Sequence, residues 1–127
     1  MKKISLTRKE LEDFAIHVLG IAKMELRRMS TQILAQLLQL KINGDARAFF
    51  IAEEIKQLEK VRPGAIHLKP EGIRQVAGDW IVFKQFNGCN YFLTLAKPGE
   101  GDQNINQRVR QAYEYDFPFL QESQRAK

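Results

Sequence analysis

A single cysteine, Cys89, stands among the 127 residues. It excludes an internal disulfide and any zinc site built from several thiolates, and it fits a reducing compartment. Histidine is almost as scarce, with only His17 and His67. The chain has no GxxxxGKS/T loop, no GxGxxG, no HExxH and no CxxC. Those absences remove the signatures of nucleotide hydrolysis, dinucleotide binding and the common zinc hydrolases. No stretch approaches the ~18 uninterrupted apolar residues of a membrane span. The basic start MKKISLTRKELEDF leads into no apolar run of the kind a secretory signal carries. The expectation is a cytoplasmic protein with no cofactor, no metal and no membrane partner. Repeats, low-complexity tracts and linkers are also missing, so 1–127 reads as one domain.

What is present is globular in character. Hydrophobic residues make up 44% of the chain and charged residues 28%, enough apolar material for a core at this length. The net charge is +5. The first 64 residues hold twelve basic against eight acidic side chains, and the remainder eight against seven. So mild an excess suits phosphate binding and an ordinary solvated surface equally.

The strongest local signal is DWIVFKQFNGCNYFLTLAKP, residues 79–98. Asn-Gly between two runs of large apolar residues predicts a β-hairpin, because both residues accept the positive φ of a tight turn. With a two-residue turn, Trp80, Val82, Lys84 and Phe86 share a face with Cys89, Tyr91, Leu93 and Leu95. Ile81, Phe83, Phe92 and Thr94 then fill the other. A three-residue turn joins Ile81 and Phe83 with Leu93 and Leu95 instead. Both faces are greasy in either register, so the hairpin needs two covers.

The flanking sequence supplies helices. Thr7 with Glu10 forms a capping box, and Leu11, Phe14, Ala15, Val18 and Ala22 follow at helical spacing, with Gly20 read as an interior residue and His17 as structural. Leu26, Met29, Ile33, Leu37 and Leu40 continue the stripe. Two arrangements compete for residues 7–42: a break near Arg28–Ser30 with Ser30 or Thr31 as a cap, which is the expected one, or a single rod of about 54 Å. Asn43-Gly44 ends this region and Asp45 caps the next helix, whose buried stripe is Ala48, Ile51, Ala52, Ile55 and Leu58. Phe49 and Phe50 are adjacent and cannot share one face. One is expected on the sheet and the other on a second element or a partner. Ala65–Lys69 reads as a strand, Pro70-Glu71-Gly72 as a turn, and Ile73–Ala77 as a strand or helical turn. A polar loop then runs to Asn104, followed by a last helix from Ile105 to Tyr115 and an apolar tail, Phe117–Leu120. The predicted fold is α+β: two or three N-terminal helices against an antiparallel sheet of three to four strands, closed by a short C-terminal helix.

Two functional expectations follow. The first is a non-enzymatic interaction module that associates with itself or another protein, with Trp80, Val82, Phe83 and Phe92 as interface. The second is a domain binding RNA or single-stranded nucleic acid through His67, Lys69, Arg74, Lys84, Tyr91 and Arg108, cations meeting phosphate and rings meeting bases. A metal-free ribonuclease would add a proton acceptor and donor, for which His67 with Glu71 or Tyr91 are the available types. The element order, helices and then an antiparallel sheet, is similar to the layout of small bacterial ribonuclease toxins, without a shared motif. Cys89 is expected to be a plain turn thiol, and Glu100 and Asp102 solvated loop acids.

Overall fold

Thr7 opens the first helix, α1 (Arg8–His17), through the reciprocal pair expected of it. Its hydroxyl accepts from the Glu10 N–H at 3.2 Å, and the Glu10 carboxylate accepts from the Thr7 N–H at 3.0 Å. Residues 6–60, 71–76, 79–97 and 99–120 are described by the computed structural model of the chain. Leu11 and Ala15 are buried, but the stripe stops there. Gly20 takes φ +66° and turns the chain out of the helix, so it is a terminator and not an interior residue. Val18, Ala22 and His17, expected on or beside the buried stripe, are exposed for that reason.

A short α2 (Lys23–Leu26) leads to an extended passage at Arg28–Ser30 and then to α3 (Thr31–Ile42). The expected break is there, with Ser30 as cap: its Oγ accepts the Ile33 N–H at 3.0 Å. The single rod does not form, because Met29 makes an isolated parallel bridge to Phe92 instead of continuing a helix. The Phe92 N–H donates to the Arg28 carbonyl at 2.7 Å, and the Ser30 N–H donates to the Phe92 carbonyl at 2.9 Å. Asp45 accepts the Arg47 N–H at 3.0 Å and starts α4 (Arg47–Lys60). Its stripe of Ala48, Ile51, Ala52, Ile55 and Leu58 is buried as predicted.

The sheet is antiparallel in the order β1 (Glu71–Val76), β2 (Asp79–Phe86), β3 (Cys89–Ala96). Glu71 and Gly72, expected in a turn, pair with Lys84 and Phe83, since β2 is long enough to recruit them. The expected strand at Ala65–Lys69 lies outside the described residues. Asn87 and Gly88 make the two-residue turn with φ 50° and 79°, both positive as a twist-matched hairpin turn requires. Pairing follows that register from Phe86↔Cys89 to Phe83↔Phe92 and then slips, so that Val82 meets Thr94 and Leu93 has no partner. This β-bulge moves Leu95 to the face of Ile81 and Thr94 to the face of Val82. The hairpin therefore obeys the two-residue register near its tip and the three-residue one beyond it.

Both faces are covered within the chain. On one, Ile81, Phe83, Phe92 and Leu95 pack on aliphatic residues of α1, α3 and α4. On the other lies α5 (Asp102–Tyr115), placing Ala112 and Tyr113 with Phe117 and Leu120 over Leu93, and Ile105 over Val82 and Ala96. α5 begins three residues before the expected start, with Asp102 in its first turn where negative charge suits the helix dipole. No helix among the described residues is long and apolar enough to cross a membrane.

Candidate functional site

The residues expected to contact partners are mostly spent inside the fold. Phe83 and Phe92 are 1% exposed and Val82 8%, so the interface assigned to them has no surface to offer: the helices that cover both faces come from the same chain. Trp80 is half-buried against Val82 and Ala96. Lys84 is also buried. Arg108 donates through Nε to Thr94 Oγ1 at 3.3 Å and through Nη2 to the Leu95 carbonyl at 3.2 Å, and it pairs with Glu100. Tyr91 stands edge-on to Phe86, Phe117 and Phe119, and burial pushes its phenol above the usual 10.0. Arg74 occupies the β1 position opposite Ile81. His67 and Lys69 lie outside the described residues. The structure thus gathers no open basic and aromatic surface from Lys84, Tyr91 and Arg108. Among the described residues no three His, Cys, Asp or Glu side chains converge on a metal-sized site.

The outer edge of β3 shows why Arg108 is occupied. Ser30 Oγ donates to the Leu93 carbonyl at 2.6 Å. Gln36 accepts the Leu95 N–H at 2.8 Å and returns a bond to its carbonyl at 3.2 Å. Thr94 donates to Gln32 at 2.8 Å. Edge groups that would otherwise face water or another strand are matched by side chains of α3 and α5. Arg8 locks the far end of the same seam. It donates to the carbonyls of Leu26 (2.7 Å) and Met29 (2.8 Å) and faces Asp116, which itself accepts from the Thr31 N–H at 3.0 Å.

Where this seam opens, a cleft of about 480 Å³ remains between the end of α3, the start of α4, the end of β3 and the 97–101 loop. Two ion pairs face each other across it. Asp45 holds Arg47 at 2.6 Å, and Glu100 holds Arg108. The hydrogen bonds from Arg47, side chain first and then backbone, draw the Asp45 carboxyl below its ordinary 3.8. The Arg108 hydrogen bond, with help from the Lys97 N–H at 2.9 Å, does the same for Glu100 against 4.5. Both acids are therefore ionised at neutral pH. The lining carries the cations Arg47, Lys97 and Arg108 against those two anions, a net charge of one positive. Sequence reading missed this place because its residues each had a local use: Asn43 ended a helix, Asp45 began one, Glu100 belonged to a loop. The one available signal was charge concentrated at element ends, as with Arg47 in the first turn of α4, where a cation opposes the helix dipole.

A second feature lies beside it, on the outside of the α3–α4 corner. Phe49 is 47% exposed, Phe50 60% and Ile42 59%. Neither phenylalanine reaches the sheet, contrary to expectation, because the inner stripe of α4 is already filled by Ala48, Ile51 and Ala52. Lys41 Nζ sits 5.7 Å from the centre of the Phe49 ring, a cation–π distance. One turn further along, Glu53 pairs with Lys56 at 3.3 Å. No protein-family model, curated protein or solved structure matches the chain.

Proposed function

We propose that this protein is a non-enzymatic binding module that associates with a second copy of itself through the α3–α4 corner. One observation carries the reading: two adjacent phenylalanines, Phe49 and Phe50, stand in water on a helix whose opposite face is fully packed. Fully burying a side chain of this size is worth roughly 1.5–3 kcal/mol, and about half of each ring is still exposed, so two on each copy supply about 3–6 kcal/mol gross. Association costs about 4–15 kcal/mol in lost freedom, which makes the expected dimer weak.

Charge order along the patch favours a second copy over an unlike partner. Lys41, in the last turn of α3, lies over Phe49; the two rings follow along α4, then Glu53 with its side chain 65% exposed. A two-fold axis through the rings sets Lys41 of each copy toward Glu53 of the other, the self-complementarity an isologous interface needs.

Sedimentation velocity across protein concentration tests this. The expected result is a monomer–dimer equilibrium complete by roughly millimolar protein, abolished by Phe50→Glu with the monomer's unfolding curve unchanged. A wild-type monomer throughout that range would overturn it.

A further inference from the structure

The self-association reading leaves the neighbouring cleft without a role, and its chemistry is specific. Residues of α3, α4, β3, the loop after it and α5 wall it, and its volume of about 480 Å³ is of the size that takes a metabolite. Two of its three cations are committed: Arg47 to Asp45 and Arg108 to Glu100. The third, Lys97, forms no ion pair among the described residues. Lys97 lines the cleft together with Asp45 and Glu100, and its charge helps to lower both carboxyls. Asn43, another lining residue, is oriented by Gln39, whose amide donates to Asn43 Oδ1 at 3.2 Å, which leaves its own amide nitrogen as a donor. Leu40 and Leu95 supply an apolar floor.

We infer that this cleft binds a small organic anion, its carboxylate or phosphate group held by Lys97 and the Asn43 amide and its carbon skeleton lying on Leu40 and Leu95. The chemistry favours an anion for two reasons. The cleft's cations exceed its anions by one, so a cationic ligand meets net repulsion. The surplus also resides on Lys97, a compact ammonium with three rotatable donors that is exposed and forms no ion pair among the described residues. The two arginine pairs serve a different purpose. By holding the walls in one geometry before a ligand arrives, they remove part of the ordering cost of binding. Arg108 does so from α5 and Arg47 from α4, so the cleft spans elements far apart in sequence.

The proposal is separate from self-association and is tested on both the wild type and Phe50→Glu. Backbone amide shifts are followed by NMR during titration with inorganic phosphate, citrate and AMP, with adenosine and spermidine as neutral and cationic counterparts. The expected result is saturable movement of the amides of residues 43–47, 97, 99 and 100 with at least one anion, and none with adenosine or spermidine. Lys97→Ala should weaken that binding about ten-fold or more, equivalent to ~1.4 kcal/mol. Arg110→Ala, which removes an exposed charge from the outer face of α5, should leave it unchanged. The AMP and citrate arms separate a phosphate from a carboxylate ligand. No saturable movement with any anion overturns the proposal. So does equal weakening by Lys97→Ala and Arg110→Ala, which would reveal diffuse attraction to a basic surface. Among the described residues the hydrogen bonds of Lys97 are made by its backbone alone, its N–H donating to the Glu100 carboxylate and its carbonyl accepting the Glu100 N–H, so its replacement by alanine preserves the structure and the comparison stays interpretable.

Discussion

The two faces of the β2–β3 hairpin are both covered, yet by different chemistry. The first face is aliphatic and dry: Ile81, Phe83, Phe92 and Leu95 sink among leucines and isoleucines of α1, α3 and α4. The second is covered by α5 and the residues after it, through rings packed edge-on and a polar seam of Thr94, Gln32, Gln36 and Arg108. A sheet can thus be central without being symmetrical. The first cover draws its stability from area removed from water, while the second depends also on hydrogen bonds and ring geometry. Sensitivity to pH and to polar substitution should accordingly concentrate on the second.

The largest effect should come from breaking the dry face. Phe83→Ala is expected to cost about 3–5 kcal/mol in urea unfolding, as for other buried phenylalanines. On the second face Phe119→Ala should cost about 1 kcal/mol, because that ring is 37% exposed and sits at the rim of its cluster. Equal losses would mean that the two covers do not differ as described. Next in size is Ser30→Ala, which removes the α3 cap and the donor to the buried Leu93 carbonyl together. A loss of about 2 kcal/mol is expected, since a cap is worth ~1 and an unmatched buried acceptor at least as much.

The pH response sharpens the comparison further. Burial raises the Tyr91 phenol above 10.0, so the folded state keeps that proton longer than the unfolded chain does. Its contribution is complete below about pH 10 and is lost as pH rises through the folded value. Alkaline unfolding of Tyr91→Phe should therefore lack a slope that the wild type shows. Glu100 runs the other way. Arg108 holds its carboxyl below 4.5, so its stabilisation is present above that value and fades as pH falls through the folded one. Glu100→Gln should flatten the acid limb of the stability curve. The smallest effect belongs outside both faces: Phe50→Ala should change monomer stability by no more than about 0.5 kcal/mol, as its ring touches little within the chain.

Much of this frame was legible in the residues. Asn87-Gly88, the Thr7–Glu10 box, the Ser30 cap and the buried stripe of α4 each carry a local physical signal, and each is found where that signal places it. Gly20 misled because a glycine within an apolar period reads alike as interior or terminal, and only its left-handed φ decides. The bulge at Leu93 left no mark because both registers bury apolar side chains, so hydrophobic alternation could not choose between them. Arg8 escaped notice for a related reason: its partners are carbonyls at Leu26 and Met29, which every sequence possesses. The cleft was least legible, since its walls meet only after α3, β3 and α5 have packed.

The union of residues 28–30 with the edge of β3 has a consequence for the order of assembly. Ser30 and Leu93 are 63 residues apart in sequence, whereas the hairpin closes across two. Hairpins form in about 1–10 μs, and contacts of long separation come later because they close large loops. During that interval β3 shows its hydrogen-bonding edge to solution, flanked by the greasiest side chains of the chain. Refolding yield should therefore fall with protein concentration even though the finished molecule presents no open edge there, and a chaperone that shields strands would act in this window and at no other.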